Sequence, residues 1–205
     1  MTARDSRYHH GDLPDTLRRV AAELVAERGV AGFSLREVAR RAGVSHAAPA
    51  HHYGDAAGLL TAVAVEGFEH LSAALSSAAG AHEDPVDRLV AVGRAYVEVS
   101  QSNPGHCAVM FRHDVLCPDV PEYLDAGARS YEILEDAVRD VATSLNPELD
   151  VETASRLCWS TMQGLIDLHP RMVETAAAHG LPEPAGLGAT AEVFGRMLVN
   201  GLRGS

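Results

Sequence analysis

Between Ser34 and Tyr53 the chain reads SLREVARRAGVSHAAPAHHY, and this stretch constrains the fold more than any other. Leu35, Val38 and Ala39 recur at helical spacing, so a short helix buries one side there. Ser34 followed three residues later by Glu37 has the form of a capping box, which predicts where that helix starts. Ala42 and Gly43 are small enough to let the chain turn tightly, Val44 plugs the junction, and Ser45 is the expected N-cap of a second short helix. The pattern is a helix, a tight turn and a helix. Spacing alone leaves two readings open: a plain helical hairpin, or a unit whose second helix enters a DNA groove.

The rest of the chain carries the same helical periodicity. Leu13, Leu17, Val20, Ala21, Leu24 and Val25 trace a first helix that Gly29 stops. A longer helix runs from Asp55 to about Ala79, followed by the linker AGAHEDP at 79–85. Further helices are expected from Val86 to Asn103, within 105–121 before Pro118 and Pro121, from Tyr123 to Leu145, over 150–178, and from Leu187 onward. Apolar residues make up 46% of the sequence but aromatics only 5%, so the core rests on Ala, Val and Leu, a composition that favours helices. No strands or repeats are apparent. The expected fold is all-α, with a three-helix DNA-binding domain at 8–70 and a larger helical domain at 80–203.

No apolar run is long enough to span a membrane, and the N-terminus lacks the apolar stretch of a signal peptide, so a cytoplasmic location is expected. Cys107, Cys117 and Cys158 lack close paired spacing, which suits reduced thiols. The net charge of −11 first argues against nucleic acid, yet its distribution is uneven. Residues 1–60 hold eight Arg against seven acids and five His; residues 61–205 hold nine Arg against twenty-one acids. The deficit therefore lies in the C-terminal part.

The run SLREVARRAGVSHAAPAHHYGDAAGLL resembles the DNA-binding domain of the TetR family of bacterial repressors, and YHHGDL (8–13) is similar to the start of one subgroup. The resemblance implies a homodimer that reads a palindromic operator on double-stranded DNA and carries an effector pocket in its C-terminal domain. It implies that Ser34 and Arg36 contact the DNA at the start of the first helix, that Ser45, His46, Ala47 and Ala48 face the groove, and that His51 and His52 meet phosphates. Two positions depart from the family pattern. Ala50 stands where a Tyr is usual and Ala56 where a Lys is usual; both usual residues touch phosphate. The chain contains no Lys, so Arg and His alone neutralise phosphates. Imidazole takes up a proton within the physiological range, which makes the two histidines conditional cations. The departures also leave open a TetR-like protein whose DNA binding is weakened.

In the C-terminal part, Gly164, Leu165, Gly195, Leu198 and Leu202 are the expected dimer seam, because glycines permit close approach and leucines supply apolar contact. Met110, Phe111, His113, Trp159, Met162, Gln163 and Ile166 are the expected lining of a pocket for a small, largely apolar effector. The segment CWSTMQG (158–164) loosely resembles a Trp-His-Gly signature of the same subgroup, with Gln163 in place of the His. A metal- or redox-responsive alternative rests on Cys107, His113 and Cys117, near His106, although their spacing does not resemble paired zinc-ligand motifs. Neither a phosphate loop, nor a nucleophile elbow, nor HExxH is present, so no enzyme, metal or cofactor is expected.

Overall fold

Leu17, Val20, Ala21, Leu24 and Val25 lie buried along one side of the first helix, α1 (Leu13–Arg28), which is the periodicity the sequence carries there. The computed structural model describes residues 13–203; the opening YHHGDL motif lies almost wholly outside them. Among the described residues are nine α-helices and no strand. After α1 and a 3₁₀ turn at Val30–Gly32 come α2 (Leu35–Ala42), α3 (Ala48–Tyr53), α4 (Ala56–Gly80), α5 (Pro85–Ser102), α6 (Pro104–Met110), α7 (Pro121–Leu145), α8 (Val151–His179) and α9 (Leu187–Arg203). Among the described residues, no helix is long and apolar enough to cross a membrane. The chain is all-α, as its periodicity predicts.

Packing divides the chain into two units: residues 13–67 with Pro104–Leu124, and Phe68–Asn103 with 125–203. The sequence expectation placed a linear boundary between 70 and 80. Residues 104–124 instead join the N-terminal unit because α6 docks on α1. Gly105 makes that docking possible, since a Cβ there would lie 1.9 Å from the carbonyl oxygen of Ala22. Leu17, Leu24, Val38, Leu59, Val63 and Val109 fill this unit's core, each fully buried. Burying such side chains stabilises a fold by roughly 1.5–3 kcal/mol apiece before chain entropy is counted.

In the second unit α5 packs against both α8 and α9. The Asp84 carboxylate accepts hydrogen bonds from the amides of Val86 and Asp87 at the start of α5, and Asp150 does the same for Thr153 at the start of α8. Leu75, Val92, Val97, Val138 and Val141 form the core. Gly195 of α9 is buried against α5, where a Cβ would come within 3.0 Å of Val90 Cγ2. Its missing side chain serves this packing inside the subunit, a role the expected dimer seam did not include.

Candidate functional site

The turn between α2 and α3 is set by Gly43, which sits in the left-handed region at φ 70°. Its amide donates to the Arg40 carbonyl at 3.3 Å and the amide of Val44 donates to the Ala39 carbonyl at 3.0 Å. This pair of bonds satisfies the last carbonyls of α2 and turns the chain sharply, a job that any residue with a Cβ does poorly.

Two capping expectations are corrected here. Ser34 is the N-cap residue of α2, but its hydroxyl makes no cap bond, and the Glu37 carboxylate is held by guanidinium groups instead. Arg40 grips Glu37 with two bonds of 2.8 Å, Arg41 adds a third at 3.1 Å, and Arg28 lies 3.5 Å away. Arg40 first, then Arg41, hold the Glu37 carboxyl down at about 2. Ser45 is not the N-cap of α3. Its carbonyl accepts from the Ala48 amide at 3.0 Å, forming a turn, and α3 starts only at Ala48. Pro49 explains the shift: it sits in the first turn, where a residue without an amide hydrogen costs nothing, and is buried.

Ser34, Arg36, Ser45, His46, Ala47, His51 and His52 are exposed, and Ala48 is half-buried at the start of α3. The rings of His51 and His52 meet edge-on at 5.5 Å. Ala50 and Ala56 are exposed as well, the latter one residue after Asp55, whose carboxylate accepts from the Gly58 amide at 2.9 Å.

The arginines differ sharply in what they face. Arg18, Arg19, Arg28, Arg40 and Arg41 each lie against a carboxylate. Arg36, by contrast, has no ion pair among the described residues, although it is exposed on α2. An unpaired guanidinium keeps its full charge available for a phosphate or a base edge. Periodicity could not find this distinction, because pairing depends on how α1 and α2 meet.

Tyr53 closes α3 onto α1: its hydroxyl donates to the Pro14 carbonyl at 2.9 Å and accepts from Arg18 at 3.2 Å. Arg18 also reaches Glu66 on α4 at 3.3 Å, and His106 of α6 lies 3.7 Å from the same carboxylate. Four helices of the unit thus meet around the Arg18–Glu66 pair. Helical periodicity does not single out Arg18 and Glu66, because their pairing depends on how α1 and α4 meet.

The second unit holds an apolar cavity lined by Leu89, Gly93, Tyr96, Trp159, Met162 and Phe194, among others. Its free volume is small, about 30 Å³, room for a water molecule or two. Trp159 packs edge-on against Tyr96 at 5.1 Å and tilted against Tyr131 at 5.6 Å. The Tyr96 hydroxyl donates to Gln163 at 2.7 Å, and Gln163 donates to Asp167 at 2.9 Å.

Of the expected pocket residues, Trp159 and Met162 come together on this wall, Gln163 stands behind Tyr96, and Ile166 is half-buried elsewhere on α8. Met110, Phe111 and His113 belong to the other unit: Met110 is buried beside Gly67, Phe111 is exposed, and His113 packs edge-on against Tyr123. Tyr96 and Phe194 line this cavity although the expected set lacks them.

Leu198 lines the cavity, whereas Gly164 faces open space and Leu165 is half-buried. The side chain of Leu202 lies outside the described residues. Leu168 and Met172 on α8 and Val193 and Met197 on α9 are between 52% and 66% exposed, an unusual amount of apolar surface for two adjoining helices. Among the described residues no group of His, Cys, Asp and Glu is arranged to hold a metal, and Cys107, His113 and Cys117 do not converge on one. Burial pushes the thiols of Cys107 and Cys158 up to about 11.

A family model described as bacterial regulatory proteins of the tetR family matches residues 17–63, and a second, described as a tetracyclin repressor-like C-terminal domain, matches residues 89–172. A protein of unknown function from Rhodococcus sp. RHA1 is 28% identical in a match covering 97% of this chain and 100% of that one, with a TM-score of 0.78. A transcriptional regulator from the same source is 25% identical, with 92% and 96% covered and a TM-score of 0.68. The TetR family transcriptional regulator PfmR from Thermus thermophilus shares the fold at 23% identity, with 90% and 97% covered and a TM-score of 0.70. No protein of the curated set matches the sequence.

Proposed function

The chain belongs to the TetR family of DNA-binding transcriptional regulators, and from that premise we propose that it is a repressor released from a palindromic operator by a small, largely apolar effector. The observation that carries the reading is the exposed edge running from Arg36 to His52. There a guanidinium without an ion pair among the described residues, two exposed imidazoles and a run of small side chains lie on two successive short helices and the turn between them. Small side chains let a helix end approach base edges closely, and the cation supplies the phosphate or guanine contact. Ser34, Arg36, Ser45, His46, Ala47, Ala48, His51 and His52 make up the contact set.

A palindrome needs two heads, and the exposed stripe of Leu168, Met172, Val193 and Met197 is the surface suited to a second copy. Gly164, with open space above it, and Leu165 extend that seam. The cavity at Trp159 and Tyr96 is the effector site, and its aromatic and aliphatic lining selects apolar molecules. An effector releases DNA only if it binds the non-binding arrangement more tightly than the DNA-binding one.

A fluorescence-anisotropy titration against the DNA upstream of the protein's own gene tests the reading. The expected result is sequence-specific binding that weakens when an apolar effector is added; binding indifferent to sequence at all salt concentrations would refute it.

A further inference from the structure

The aromatic cavity is too narrow to be a complete ligand site, and a second cavity adjoins it. This outer space, of about 260 Å³, is walled by Val138 and Val141 of α7, by Leu149, and by Ala154 and Leu157 of α8. Leu89 and Leu198 line both cavities, so one pair of leucines forms the partition between them. Asp150 and Thr153 border the outer space, but their polar atoms are occupied with each other: the Thr153 hydroxyl donates to Asp150 at 2.7 Å, and its amide to the same carboxylate at 3.3 Å. What the outer space offers a ligand is therefore aliphatic carbon. Leu157, 60% exposed, stands at its margin and marks the side open to water.

Building on the effector site proposed above, we propose that the two cavities are one binding site for a molecule with an unbranched aliphatic chain. The chain passes between Leu89 and Leu198 toward Trp159, and its polar end remains in water beside Leu157. The shape supports this class. The inner cavity, with about 30 Å³ of free volume, has no room for a fused ring system, whereas a methylene chain is the thinnest organic segment and needs only a leucine rotamer change to reach it. Leu198 is half-buried, so it is free to make that change.

Trp159 is the single tryptophan of the chain and reports directly on the inner end. The test titrates the full-length protein with n-alkanols of four to twelve carbons, reading Trp159 fluorescence. The expected result is a saturable change whose affinity rises about three- to fourfold per added methylene until both cavities are filled, and then levels off. Branched alcohols of equal carbon number should bind more weakly. Ala154→Phe, which fills the outer space, should remove the gain for the longer chains. Leu157→Asn, at a position 60% exposed, should weaken the long chains selectively with the melting temperature little changed. Saturable binding of short alkanols with no dependence on length would overturn the joined site and leave the inner effector cavity standing. No saturable binding at any length would overturn both.

Discussion

The Tyr53 hydroxyl accepts a hydrogen bond from Arg18 at 3.2 Å while donating one to the Pro14 carbonyl at 2.9 Å, and so ties the end of α3 to α1. Burial raises the Tyr53 hydroxyl above its ordinary value, with the Arg18 bond acting in the opposite sense, so it stays protonated and can donate. Tyr53→Phe removes both bonds without opening a cavity. The expected cost is about 1 kcal/mol of stability, read in urea denaturation, together with weaker operator binding. Unchanged stability would mean that the phenol ring alone holds α3 in place.

Charge pairing makes the arginines of α2 unequal in their effect on DNA. Arg36→Gln should weaken binding and lower the log–log salt slope by about one unit, while leaving the melting temperature unchanged. Arg40→Gln should change the slope less, since Glu37 already neutralises that charge. Ala56→Lys should act in the opposite direction, tightening binding and steepening the slope. Equal slopes for Arg36→Gln and Arg40→Gln would remove the distinction.

Much of the fold was legible in the residues themselves. The helix limits at Arg28, Gly80, Ser102 and Leu145 follow from glycine, proline and apolar spacing, which are local signals. The two corrected caps have identifiable causes: guanidiniums from α1 and α2 hold Glu37, and α3 starts at Ala48, three residues after Ser45, with Pro49 in its first turn. The Pro49 signal was available and outranks a serine. The pocket was less legible because periodicity shows which face of a helix is apolar, not which unit it joins. Once Gly105 docks α6 on α1, Met110, Phe111 and His113 go with it.

Glu37 should make stability depend on acidity. Its folded carboxyl titrates near 2, below the 4.5 of the free side chain, so its stabilisation is complete above about pH 4.5 and lost as the pH falls toward 2. The gap in melting temperature between wild type and Glu37→Gln should therefore be constant from pH 7 to about 5 and close below that. A gap that persists at pH 2 would place the stabilisation elsewhere.

The thiols of half-buried Cys107 and buried Cys158 should be slow to react. With values near 11, only about one in a thousand of the Cys107 and Cys158 side chains is thiolate at pH 8. Iodoacetamide should label both far more slowly in the folded protein than in urea, as read by peptide mass. Rapid labelling of Cys107 in the folded state would reopen a redox role for that residue.

The central claim is a paired reading head on a palindrome, and a hydroxyl-radical footprint of the wild-type protein on its upstream DNA tests it most directly. The account predicts two symmetric protected segments about one helical turn or more apart, both lost together in Arg36→Gln at a salt concentration that wild type tolerates. A single protected segment, or protection without sequence preference, would contradict it.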